Sequence, residues 1–100
     1  MGSYALSKKA VADLSAIWNY TADAWSEKQA DKYYFMLLSF CQDLADGKIA
    51  GKKYAMVEED LLGFRAGKHV IFYQHETSRK IFVVRFLHTS MDIKSRMEEG

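Results

Sequence analysis

One hundred residues, 49% hydrophobic and 14% aromatic, suffice for one packed core and exclude a disordered chain. A single cysteine excludes a disulfide framework and a multi-cysteine metal site. The net charge of +1 does not by itself mark a nucleic-acid binder, yet residues 1–60 carry seven Lys/Arg against nine Asp/Glu and residues 61–100 seven against four, so an anionic partner would meet the C-terminal part.

Met1-Gly2-Ser3 opens no signal peptide, and no stretch reaches the apolar length of a membrane span. A soluble, cytoplasmic protein with no membrane partner is expected. Tyr4-Ala5-Leu6 reads as a short first strand. Ser7 can cap a helix with apolar residues at Val11, Leu14, Ile17, Trp18, Thr21 and Trp25, a spacing close to 3.6. Ser26-Glu27-Lys28-Gln29 is a capping box that ends this helix and starts the next, so the two must lie antiparallel. The second helix carries Ala30, Tyr33, Tyr34, Leu37, Leu38, Phe40, Cys41 and Leu44 on a wide apolar face, and Gly47 stops it. Cys41 in this company reads as a small buried hydrophobe.

Residues 48–60 break both periodicities and read as a mostly surface loop ending in Glu58-Glu59-Asp60. Strands follow at about 61–66, 69–75 and 80–88, joined by Gly67-Lys68 and by Glu76-Thr77-Ser78-Arg79, which makes an antiparallel meander. Residues from Asp92 can add one or two helical turns. The expected architecture is a single α+β domain over residues 1–100, ordered β-α-α-β-β-β, with a helical hairpin packed on an antiparallel sheet.

Strand alternation places Ile81, Val83, Arg85 and Leu87 on one face and Phe82, Val84, Phe86 and His88 on the other. An arginine in a central strand is costly to bury unpaired, so Arg85 is either held by a carboxylate or faces a groove. Arg65 shares a face with Leu61 and Gly63, opposite Leu62 and Phe64. If Arg65 and Arg85 face the same side, they form a patch suited to a carboxylate or phosphate. His88 at the strand exit is either a general base or an ordinary polar terminus, and His69 and His75 are plainer still. No HxH, HExxH, phosphate-cradling glycine loop or nucleophile elbow occurs, so neither a metal nor a cofactor is expected. Lys48, Lys52 and Lys53 suit a solvated loop better than a phosphate contact. Trp18, Trp25, Tyr33 and Tyr34 suit core or hairpin packing before base stacking.

Tyr4-x-Leu6-Ser7, Ala10-x-Ala12-Asp13-Leu14-x-x-Ile17-Trp18-x-Tyr20, Trp25, Gln29-Ala30 and Tyr33 resemble the opening of ParE toxins, of the RelE/ParE superfamily. Leu61–Arg65, Gly67-x-His69-Val70-Ile71-Phe72-Tyr73 and Val84-Arg85-x-Leu87-His88-x-x-Met91-Asp92 resemble their sheet and C-terminal signature. The resemblance covers nearly all of residues 4–92. It implies the toxin of a type II toxin–antitoxin pair, held in a hetero-oligomer by the C-terminal segment of a ParD-like antitoxin and inhibiting DNA gyrase by binding. On that reading Arg65, Arg85, Phe64, Trp18 and Tyr33 would meet the antitoxin, and His88, Met91 and Asp92 the target. A RelE-type, ribosome-dependent mRNA endonuclease is the alternative, with Arg65, Arg85 and His88 as its catalytic set. That set is incomplete, because no tyrosine or histidine follows His88 and an acidic run precedes the first meander strand, so no catalytic residues are expected. Many ParE members carry a basic residue where Ser90 stands here, which leaves a third alternative, a non-toxic relative that only binds antitoxin.

Overall fold

The computed structural model of the protein describes residues 1–98. Its elements are β1 (Ser3–Leu6), α1 (Lys8–Ala24), α2 (Glu27–Asp46), β2 (Lys52–Lys53), β3 (Leu62–Ala66), β4 (His69–Thr77), β5 (Lys80–His88) and α3 (Ile93–Glu98). The five strands form one sheet in the order β1-β5-β4-β3-β2. As expected, β3, β4 and β5 form an antiparallel meander. The sheet as a whole is mixed, because β1 returns through the hairpin to pair parallel with β5, Ser3 opposite Lys80 and Leu6 opposite Val83.

The helix boundaries are local chemistry. The Ser7 hydroxyl accepts from the Ala10 amide at 2.9 Å and donates to the Val84 carbonyl at 2.6 Å, so one residue caps α1 and ties it to β5. The Ser26 hydroxyl accepts from the Gln29 amide at 3.1 Å, which forms the serine half of the capping box. Gly47, left-handed at φ 77°, closes α2. The buried stripe of α1 is narrower than expected: Ala10 and Leu14 are buried, whereas Val11 and Trp25 are exposed. Val11 is rotated one step off that stripe, and Trp25 caps the helix where the chain turns into α2.

The hairpin covers one face of the sheet. Leu14, Leu37, Cys41 and Leu44 pack there on Ile71, Tyr73, Ile81, Val83 and Phe86. Each buried Leu or Ile contributes about 1.5–3 kcal/mol by removal of apolar surface from water. Burial also pushes the Cys41 thiol up to about 12, so it stays an uncharged core atom. A second, smaller cluster of Leu61, Val70, Phe72 and Leu87 lies on the opposite face, with Tyr54, Val57, Val84, Ile93 and Met97 packed against it.

Two features depart from the sequence reading. Residues 48–60 are not only surface: Lys52 and Lys53 pair with Gly63 and Leu62, and Tyr54 stacks edge-on to Phe72 at 5.0 Å. Strict alternation also fails in β5. Phe72 pairs with Arg85 but Tyr73 with Val83, so Val84 is an extra residue in a β-bulge. Ile81 and Val83 therefore face the hairpin together with Phe86, while Leu87 faces away.

Candidate functional site

The end of α1, the first half of α2 and the adjoining ends of β4 and β5 line an open groove of about 1030 Å³. Ile17, Tyr20, Trp25 and Met36 form its helical walls, and Tyr33, His69, His88 and Met91 its floor and far rim. Tyr20 and Trp25 are 73% and 75% exposed, a large apolar surface for a helix pair to leave in water. Among the described residues, the charged side chains that line it are Lys32 and Lys68, and no carboxylate does.

The floor is held by hydrogen bonds. Gly67 turns the chain between β3 and β4 at φ 62°, and a Cβ there would meet the Tyr33 hydroxyl at 2.8 Å. The Lys68 amide donates to that hydroxyl at 3.0 Å, and the hydroxyl sits 2.7 Å from His69 Nδ1. His69 pairs with His88 across β4 and β5, and the rings meet edge to face at 5.3 Å. Burial, with the neighbouring His88, pulls the His69 imidazole down to about 4, and Asp13 opposes the shift. Burial raises the Tyr33 hydroxyl against the opposing Lys68 amide. His88 Nδ1 lies 2.7 Å from the Ser90 hydroxyl and accepts from the Ser90 amide at 3.1 Å.

Of the residues singled out in the sequence, Tyr33, His88 and Met91 meet in this groove. Asp92 lies beside it and caps α3 through Ser95, at 3.0 Å to the hydroxyl and 3.4 Å to the amide. Trp18 stitches the hairpin instead: its indole N–H donates to Asp31 at 2.9 Å. Phe64 packs on Phe40 at 5.4 Å on the hairpin face. Arg65 is exposed on the other face, its Nε 3.4 Å from the Gly67 carbonyl.

Arg65 and Arg85 do share a face by register, through the rows Arg65–Val70–Leu87 and Gly63–Phe72–Arg85. They sit two strands, about 10 Å, apart, and do not converge. Arg85 is drawn to the sheet edge, where Nε and Nη2 donate to the two oxygens of Asp13 at 2.8 and 3.0 Å. Asp13 also accepts from the Phe86 amide at 3.0 Å, and Arg85 Nη1 donates to the Arg96 carbonyl at 3.1 Å. Because β1 stops at Leu6, opposite Val83, Ser7 and Asp13 satisfy the edge of β5 that a longer strand would have paired.

Asp13 and His69 are residues to which the sequence reading assigns no site role, although both leave signals. Asp13 lies between Ala10 and Ile17 at helical spacing, where a carboxylate needs a partner. His69 and His88 each stand eight residues from the Thr77–Lys80 pair that closes their hairpin.

Residues 4–93 match the family described as ParE toxin of type II toxin-antitoxin system, parDE. The chain is 33% identical over 90 residues to Toxin ParE1 of Mycobacterium tuberculosis, covering 90% of this chain and 92% of that one. It is 29% identical over 97 residues to Toxin ParE1 of Caulobacter vibrioides, covering 97% and 99%. In fold it is similar to a chain of the chromosomal ParDE TA system from P. aeruginosa, with a TM-score of 0.73 and 17% identity over 88% of this chain and 96% of that one.

Proposed function

The chain belongs to the ParE toxin family of type II toxin–antitoxin systems, and from that premise we propose that it inhibits DNA gyrase by binding, without catalysis of its own. A ParD-like antitoxin then silences it by laying an amphipathic segment into the groove. The observation that carries the reading is the contrast between the two faces of the sheet. The arginine-bearing face is largely occupied by its own residues: Tyr54, Val57, Ile93 and Met97 pack on it and Arg85 is committed to Asp13, while Arg65 stays exposed. A nuclease needs a base, an acid and cations converging on one phosphate. Arg65, Arg85 and His88 do not converge here, since His88 opens into the groove on the hairpin side.

The groove has the character of a protein-binding surface. It is apolar, rimmed by exposed Tyr20 and Trp25, and its charged residues are basic, which suits a helix with apolar anchors and acidic flanks. It also holds His88 and Met91, the residues read as target contacts, so an antitoxin filling it would cover them. Phe64 and Arg65 lie on the part of β3 beyond its pairing with β2, where an extended antitoxin segment can run along the edge. No helix among the described residues is long and apolar enough to cross a membrane, and the proposed target places the protein in the cytoplasm.

Expression without antitoxin tests the reading. Growth arrest with DNA double-strand breaks and intact mRNA is the expected outcome, and co-expressed antitoxin restores growth. Cleaved transcripts without DNA breaks would indicate the nuclease alternative, and normal growth a non-toxic relative.

A further inference from the structure

We propose that the facing imidazoles of His69 and His88 form a neutral, two-donor site for one carboxylate of the antitoxin segment that fills the groove. The inference rests on the antitoxin reading above and adds the chemistry at the groove floor.

A backbone donor fixes the His88 ring, and the shortest hydrogen bond selects the tautomer assigned to His69. A backbone N–H can only donate, so the Ser90 amide 3.1 Å from His88 Nδ1 makes that nitrogen an acceptor, and the ring proton must sit on Nε2. At His69 the partner is the Tyr33 hydroxyl, which already accepts from the Lys68 amide and has one proton to give. Its two acceptors are His69 Nδ1 at 2.7 Å and the Ala66 carbonyl at 3.4 Å, and the shorter contact takes the proton. On that contact His69 is assigned the Nε2–H form as well. No buried side-chain polar atom among the described residues lacks a hydrogen-bond partner. Neither Nε2 has such a bond, so both nitrogens reach solvent, and both residues line the groove.

Two neutral N–H donors on adjacent strands call for an acceptor. A carboxylate fits better than a carbonyl because it gains charge-assisted bonds and has Lys32 and Lys68 nearby, with no acid among the described lining residues to repel it. The arrangement disfavours a metal, since each Nε2 carries a proton where a ligand needs a lone pair. A segment seated between the apolar walls would exclude water from the imidazoles and strengthen these bonds.

Phenylacetate, an aromatic ring with one carboxylate, is a suitable probe and phenylacetamide its uncharged control. Long-range 15N–1H spectra of the imidazoles at neutral pH are expected to show the Nε2–H tautomer at both rings. Phenylacetate should shift both sets of signals and bind at least about tenfold more tightly than phenylacetamide. His88→Gln, which keeps a side-chain Nε2 donor, should retain that preference, and His88→Leu should lose it with the amide spectrum otherwise unchanged. An Nδ1–H tautomer at either ring, or equal binding of the two probes, overturns the site. If the antitoxin co-purifies while phenylacetate leaves both rings unmoved, the carboxylate site falls and the antitoxin reading stands. If the antitoxin does not bind at all, that reading falls and the site loses its proposed occupant.

Discussion

Removing the Asp13 carboxylate strips three hydrogen bonds at once, two from Arg85 and one from the Phe86 amide. The pair is mostly buried, with side chains 12% and 15% exposed, so truncation takes the carboxylate from a buried cation and orphans an amide. Asp13→Ala should cost about 3 kcal/mol in urea denaturation. Glu76→Ala, which removes the exposed 3.9 Å pair with Lys80, should cost no more than about 0.5 kcal/mol. For the same reason Arg85→Glu weakens partner binding through the fold, and Arg65→Glu is the cleaner probe of an antitoxin contact. His69 gives a pH signature. Its ordinary value of 6.5 falls to about 4 in the folded chain. Between these values the unfolded chain takes up a proton that the folded one refuses. Stability should therefore be full above about pH 6.5 and fall as pH drops toward 4. Plots of urea midpoint against pH should show this slope in the wild type and a shallower one in His69→Gln.

The elements differ in how far local sequence determines them. Ser7, Ser26 and Gly47 act on their own neighbours, so both helices and the turn between them are legible in the sequence. The meander is legible because Gly67-Lys68 and the 76–79 turn leave its strands no other pairing. The β5 bulge is not, because nothing near Val84 announces an extra residue; its edge is satisfied by Ser7 and Asp13, more than seventy positions away. The parallel pairing of β1 is a long-range choice of the same kind. Residues 54–57 follow neither a helical nor a strand period, yet Tyr54 seals the second face through a contact that only a glycine permits. A Cβ on Gly63 would meet the Tyr54 ring at 2.6 Å and Phe72 at 3.0 Å. Gly63→Ala should lower stability by about 1–3 kcal/mol. It should also speed hydrogen exchange at Tyr54, Val57 and Glu58, whose amides bond within that loop and to Leu61. Unchanged exchange there would mean that Tyr54 does not depend on the glycine.

At the scale of the whole molecule, the hairpin covers most of one sheet face, a loop and α3 pack on the other, and the groove stays open on the hairpin side. Sequence resemblance alone identifies the family. It distributes the candidate residues over both faces, because strand alternation sets Arg85 opposite His88 but, without the bulge at Val84, groups Arg85 with Ile81 and Val83, which face the hairpin. The structure gathers Tyr33, His88 and Met91 in the groove, commits Arg85 to Asp13 and uses Trp18 to hold the helices together. The proposed division of labour follows: a sheet that is scaffold, and a groove that meets partners. Its most direct test is a DNA supercoiling and cleavage assay with purified gyrase. The account predicts that added toxin blocks supercoiling and accumulates cleaved DNA, and that prior addition of the antitoxin abolishes both effects. Supercoiling and cleavage unchanged at every ratio of toxin to gyrase would contradict it.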